Sequence, residues 1–120
     1  KMPATIDADI LTKMNERGEI TGCLVKGPLA LDNAVSIEAA QHKGVKHPVA
    51  GNADILITPD IEAGNILSKS LEYFSNAQKS GIIMGATAPI VLISRASSAE
   101  SKLHSIALGA LITQNKEREK

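Results

Sequence analysis

Ala88-Pro89-Ile90-Val91-Leu92-Ile93-Ser94-Arg95-Ala96-Ser97-Ser98-Ala99-Glu100 reads as a strand running into a helix start. The β-rich apolar run stops at Ser94-Arg95. Ser97-Ser98-Ala99-Glu100 then has the spacing of a capping box, in which a Ser and a Glu three residues on satisfy each other's free backbone N–H groups. Leu103, Ile106, Ala107, Ala110 and Leu111 follow at helical spacing. The same passage occurs earlier in the chain. Ala53-Asp54-Ile55-Leu56-Ile57 is strand-like and leads straight into Thr58-Pro59-Asp60, a cap, a first-turn proline and an acid suited to the helix dipole. A helix is then expected through Ile61, Ile66, Leu67, Leu71, Tyr73 and Phe74 to about Ala77.

Upstream, Ile6, Ile10, Leu11 and Met14 mark a helix that Gly18 ends, and Ile20 to Val25 reads as a strand closed by the turn Lys26-Gly27-Pro28. From Asp32, the spacing of Ala34, Val35, Ile37, Ala39 and Ala40 is helical, with Gly44 as the stop. Gly81 to Met84 and Pro89 to Ile93 are two more strands, and a polar tail, residues 113–120, is expected to fray. Strands alternating with helices predict an α/β fold, a mostly parallel sheet flanked by helices.

In such sheets ligands bind beyond the carboxyl ends of the strands. Lys26 to Asn33, Thr58 to Asn65 and Ser94 to Ser97 lie at those ends. Ser94-Arg95 is the sharpest of them. Free N–H groups at a helix start favour an anion, and the arginine fork matches phosphate oxygens. Taken alone, the pair reads more readily as a turn serine and a surface arginine than as a phosphate site. Asp32 and Asn33 read as a helix cap or as groups that order a substrate. Gly64 costs its helix roughly 1 kcal/mol against Ala, which fits close approach of ligand or close helix–sheet packing beside Asn65.

Composition removes several classes. The chain has 120 residues, enough for one core, and its 13 basic and 13 acidic residues balance. No basic footprint for nucleic acid or an anionic membrane is present. The apolar stretch Gly81 to Ser94 is too short and too broken by Gly and Pro to span a bilayer. Cys23 is the single cysteine, so a disulfide framework is excluded and a reducing, cytoplasmic setting is expected. His42, His47 and His104 have no spacing that suggests a metal site. Tyr73 and Phe74 are the only aromatics, so the core is expected to be built of Ile, Leu, Val and Ala.

Four motifs together resemble the phosphate acetyl/butyryltransferase family: Gly27-Pro28-Leu29-Ala30-Leu31-Asp32-Asn33-Ala34-Val35-Ser36, Pro48 to Leu56, Pro59 to Leu67, and Ser94-Arg95. The resemblance covers Met2 to about Ile112 and corresponds to the C-terminal portion of a family member, the N-terminal portion being absent. The Leu29-to-Asn33 form of the first motif is similar to the butyryl or branched-chain branch. The resemblance implies reversible transfer of a short-chain acyl group between coenzyme A and phosphate. It implies an architecture like that of isocitrate and isopropylmalate dehydrogenases, with the active site in a cleft between two domains, and a homodimer or larger assembly. Coenzyme A or acyl-CoA is then a substrate, and no covalently bound cofactor is implied.

By the same resemblance, Ser94 and Arg95 are catalytic, with Arg95 on the phosphate and Ser94 donating to the oxyanion that develops. Asp32, Asn33, Gly64 and Asn65 contact substrate. The thiol of coenzyme A must lose a proton, and Ser101 stands where the acetyl branch carries an Asp suited to take it. Lys26 stands where an Asp is expected. The resemblance also implies that this chain alone is inactive. A competing reading is a non-catalytic acyl-CoA-binding module like the C-terminal domain of some malic enzymes. A dehydrogenase of similar fold is a third, although no GxGxxG fingerprint occurs.

Overall fold

The computed structural model describes residues 2–118. In chain order these form α1 (Pro3–Glu16), α2 (Leu31–Val35), α3 (Ile37–His42), α4 (Ile61–Phe74), β1 (Ile82–Ile83), β2 (Ile90–Val91) and α5 (Ala99–Arg118). The chain divides into two compact units, Lys1–Ile61 and Glu62–Lys120.

In the first unit, Pro3 opens α1 and Gly18, at φ 76°, ends it as its spacing predicts. Thr12 is buried on this helix. Its hydroxyl accepts from the Gly27 amide (2.8 Å) and lies within donor distance of the Ala8 and Gly27 carbonyls (2.9 and 3.0 Å). That locks the first family motif onto α1 at Gly27, where a Cβ would lie 2.9 Å from that of Ala8. The helix expected from Asp32 to Gly44 is broken at Ser36, which turns extended (φ −126°, ψ 116°) and caps α3 by accepting from the Ala39 amide at 3.2 Å. The loop after α3 returns onto α2. Gly51 N–H donates to the Asn33 carbonyl at 2.8 Å, and Ala53 N–H to that of Ala34 at 3.1 Å. The first two motifs are thereby brought together.

The second unit is built on a hairpin. β1 and β2 pair antiparallel, with Ile82 opposite Val91 and Ile83 opposite Ile90, and α5 packs on both. Ser105, fully buried on α5, accepts from the Gly81 amide (3.0 Å) and donates to the Ser101 carbonyl (2.7 Å). Gly109 lets the helix lie close, since a Cβ there would sit 3.1 Å from Val91 Cγ2.

Several expectations are corrected. Residues 20–25 form no strand. Gly22 is at φ 78°, outside strand geometry. The polar groups of this segment are taken by one side chain: Asn15 donates to the carbonyls of Ile20 and Cys23 (3.0 and 2.9 Å) and accepts from the Val25 amide (2.9 Å). Residues 53–57 also form no strand, because no neighbouring edge pairs with them among the described residues. The helix and strand mixture of an α/β chain is present, but the one sheet among the described residues is the antiparallel pair, not a mostly parallel sheet. A core of Ile, Leu and Val is not formed either. The buried apolar residues among those described are Ala34, Ala40 and Ala50, while Ile55, Ile57 and Ile61 stay about 80% exposed (78%, 82% and 82%). The segment expected to fray continues α5 as far as Arg118, and residues 119–120 lie outside the described residues.

Candidate active site

Ser94 and Arg95 are exposed, on the turn that links β2 to α5. The turn is held by two bonds to Ser94. Its hydroxyl accepts from the Ala96 amide at 3.3 Å and its carbonyl from the Ser97 amide at 3.0 Å. A strand end, an arginine and a helix start therefore occur in the order that the residues predict. The cap is one residue later than expected. Because α5 begins at Ala99, Ser98 is the residue whose hydroxyl accepts from the Ser101 amide at 3.1 Å, and the Ser98 and Ser101 hydroxyls lie 3.1 Å apart. Ser97 is buried instead, and among the described residues its hydroxyl has no partner. Glu100, released from the capping box, accepts from the Gln78 side chain at 3.2 Å.

Gly64 and Asn65 lie in the first turns of α4, the glycine half-buried and the asparagine exposed. Thr58 does not cap this helix; its hydroxyl donates to the Asp60 carbonyl at 3.2 Å. In the first unit, Asp32 and Asn33 sit on α2, whose cap position is Ala30, so Asp32 is not the cap. Asp32 accepts from the Asn33 amide (2.8 Å) and from the Lys43 ammonium (2.7 Å), and the hydrogen bond from Lys43 holds its carboxyl below the ordinary range. Asn33 is buried, and among the described residues its side-chain oxygen has no partner. A buried orphan acceptor costs about 1–3 kcal/mol, so this asparagine is held there against its own desolvation.

Within the second unit, a cavity of about 340 Å3 opens between the end of α4 and the start of α5. Ala96, Ser98, Glu100, Ser101 and His104 line one wall, with Glu72, Tyr73 and Gln78 opposite. Glu72 accepts from the ammonium groups of Lys79 (2.8 Å) and Lys69 (2.9 Å), and those two bonds hold its carboxyl below the ordinary range. Lys69 also lies 5.5 Å from the centre of the Tyr73 ring. Residue spacing draws attention to neither Gln78 nor His104. The one signal available was the interval of four between Glu100 and His104, which puts both on one helix face. Among the described residues, no group of three or more His, Cys, Asp or Glu side chains is placed to hold a metal ion.

The Ser-Arg pair and the other three motifs occur in order along this one chain, and the family model described as "Phosphate acetyl/butaryl transferase" matches residues 1–110. The chain belongs to the phosphate acetyl/butyryltransferase family. It is 56% identical over 116 residues to a phosphate butyryltransferase of Clostridium acetobutylicum, covering 97% of this chain and 38% of that protein. It is 59% identical over 111 residues to a phosphate acetyltransferase of Thermotoga maritima, covering 92% of this chain and 38% of the relative. Relatives of both names thus match at similar identity. A branched-chain phosphotransacylase from Enterococcus faecalis V583 superposes with a TM-score of 0.78 at 42% identity, covering 91% of this chain and 39% of that one. The chain therefore spans less than two-fifths of the length of these relatives.

Proposed function

We propose that the protein to which this chain belongs transfers a butyryl or branched short-chain acyl group reversibly between coenzyme A and phosphate. The observation that carries this reading is the exposed Ser94-Arg95 pair on the turn between β2 and α5, in a chain that belongs to the acyltransferase family. Arg95 binds the phosphate, two of whose oxygens match the guanidinium fork. Ser94 donates to the carbonyl oxygen as negative charge gathers there, a contribution of about 3–4 kcal/mol where a single such donor has been removed. Asp32, Asn33, Gly64 and Asn65 order the substrates. The preference for butyryl or branched chains rests on the form of the motif from Leu29 to Asn33.

Coenzyme A enters as a substrate and no covalent cofactor takes part. The whole protein works in the cytoplasm as a homodimer or larger assembly, and no helix among the described residues is long and apolar enough to cross a membrane. The exposure of Ile55, Ile57, Ile61, Leu24 and Phe74 supports a larger folded unit than this chain. In it, residues 53–57 join a parallel sheet of dehydrogenase-like architecture. The chain without that remainder is inactive.

The test is release of free thiol from butyryl-CoA and phosphate by the full-length protein. Turnover is expected from the full-length protein and none from residues 1–120 alone. If full-length protein binds acyl-CoA but releases no thiol, the acyltransferase reading is replaced by that of a non-catalytic acyl-CoA-binding module.

A further inference from the structure

Acyl transfer to coenzyme A needs a group that removes the thiol proton. A free thiol ionises only near pH 8.5, and the hydroxyl of Ser101 is no base for it. Three side chains lining the cavity to which Ala96 and Ser98 contribute can take a proton: Glu72, Glu100 and His104. Glu72 is bound by two lysine ammonium groups that hold it ionised, which leaves it a weak acceptor. Glu100 is exposed, and its carboxylate is already engaged as the acceptor of the Gln78 amide. His104 differs from both. It is half-buried in the cavity wall, and among the described residues its imidazole has no hydrogen-bond partner. It lies three residues after Ser101 and four after Glu100 on α5, so each of them neighbours it on the helix surface.

We propose that His104 is the general base for coenzyme A. This rests on the acyltransferase reading above. The thiol proton passes to an imidazole nitrogen, and the sulfur electron pair forms the bond to the acyl carbon. The bond from that carbon to the phosphate oxygen breaks, and phosphate leaves with the electron pair. In reverse, the imidazolium returns the proton to the departing thiolate. The charged and titratable groups around the imidazole are Glu72 and Tyr73 from α4, with Lys69 and Lys79 held on Glu72, and Glu100 from α5.

The test uses the full-length protein. His104→Gln and His104→Asn are assayed for thiol loss with acyl phosphate and coenzyme A from acid to alkaline pH. Both should lower kcat by about 10²- to 10⁴-fold, leave the KM for acyl phosphate little changed, and abolish the fall in rate on the acid side that a neutral imidazole base imposes. Added imidazole should restore part of the turnover of His104→Gly, and His42→Gln should behave as wild type. On the unmutated protein, carbethoxylation of His104 mapped by mass spectrometry should stop turnover and be slowed by coenzyme A. Retained kcat with an unchanged acid limb, or a carbethoxylated His104 in a fully active protein, overturns the proposal and leaves the acyltransferase reading standing. Wild-type protein that transfers no acyl group overturns both.

Discussion

In the proposed reaction Arg95 binds phosphate and Ser94 assists the chemistry, so their variants should separate likewise. Arg95→Ala in the full-length protein is expected to raise the KM for phosphate steeply or to abolish turnover, because alanine removes the guanidinium fork that matches phosphate oxygens. Unchanged phosphate kinetics would remove it from the site. Ser94→Ala should lower kcat by about 10²- to 10³-fold with phosphate binding kept, measured by the same thiol assay. A third residue is structural. Gly51 is at φ 80°, and a Cβ there would meet Ile37 Cα at 2.5 Å, so Gly51→Ala should lower the unfolding midpoint of the protein clearly, whereas Gly18→Ala, with open space around it, carries only the cost of its positive φ. Equal losses for the two would refute the close approach of the loop to α3. These residues were legible in advance as motif members; the role of Gly51 as a spacer between motifs was not, because its neighbour Ile37 lies fourteen positions away.

Helix α5 begins at Ala99, and that single-residue register decides what its neighbours do. Ser98 caps the helix, so Ser98→Ala should cost about 1 kcal/mol in denaturant unfolding. Ser97→Ala should be neutral or stabilising, since it removes a buried hydroxyl that has no partner among the described residues. The reverse ranking would restore the capping box that begins at Ser97. Residue types at 97 and 98 are identical, so spacing to Glu100 favoured the first serine, while packing of α5 on the hairpin through Ser105 and Gly109 selected the second. Segment 20–25 shows the same limit. Its apolar run was visible, but Asn15 satisfies its backbone from α1, and a strand ladder is not needed. Replacing Asn15 with Leu leaves one amide and two carbonyls without that partner and should expose the segment to hydrogen exchange.

Across the whole molecule, exposed ion pairs set the response to pH. Lys43 holds Asp32, Arg17 holds Glu19, and Lys79 with Lys69 holds Glu72 below the ordinary carboxylate range. The folded state therefore binds fewer protons in acid than the unfolded chain. The stability these pairs add is fully present above the unfolded carboxylate pKa and is lost as pH falls through the lower folded values. Denaturant midpoints should fall with acid over that window. They should respond less at high salt, which screens exposed charges, and Asp32→Asn should remove part of the slope. A midpoint flat across the acid range would contradict these pairings.

The sequence by itself determined membership in the family, the order of strand, turn and helix around Ser94-Arg95, and the glycine stops of the early helices. Local rules suffice for these: a motif is a string of residue types, and a glycine at positive φ ends a helix whatever surrounds it. Only the tertiary structure decided which apolar runs became strands, which serine caps α5, and that Glu100 and His104 face one cavity with Gln78 and Glu72. Strand pairing needs a neighbouring edge, and a cavity needs walls distant in sequence. Residues 53–57 show the difference most plainly: their composition is that of a buried strand, yet with no neighbouring strand edge among the described residues they form no strand, and Asp54 to Ile57 stay exposed.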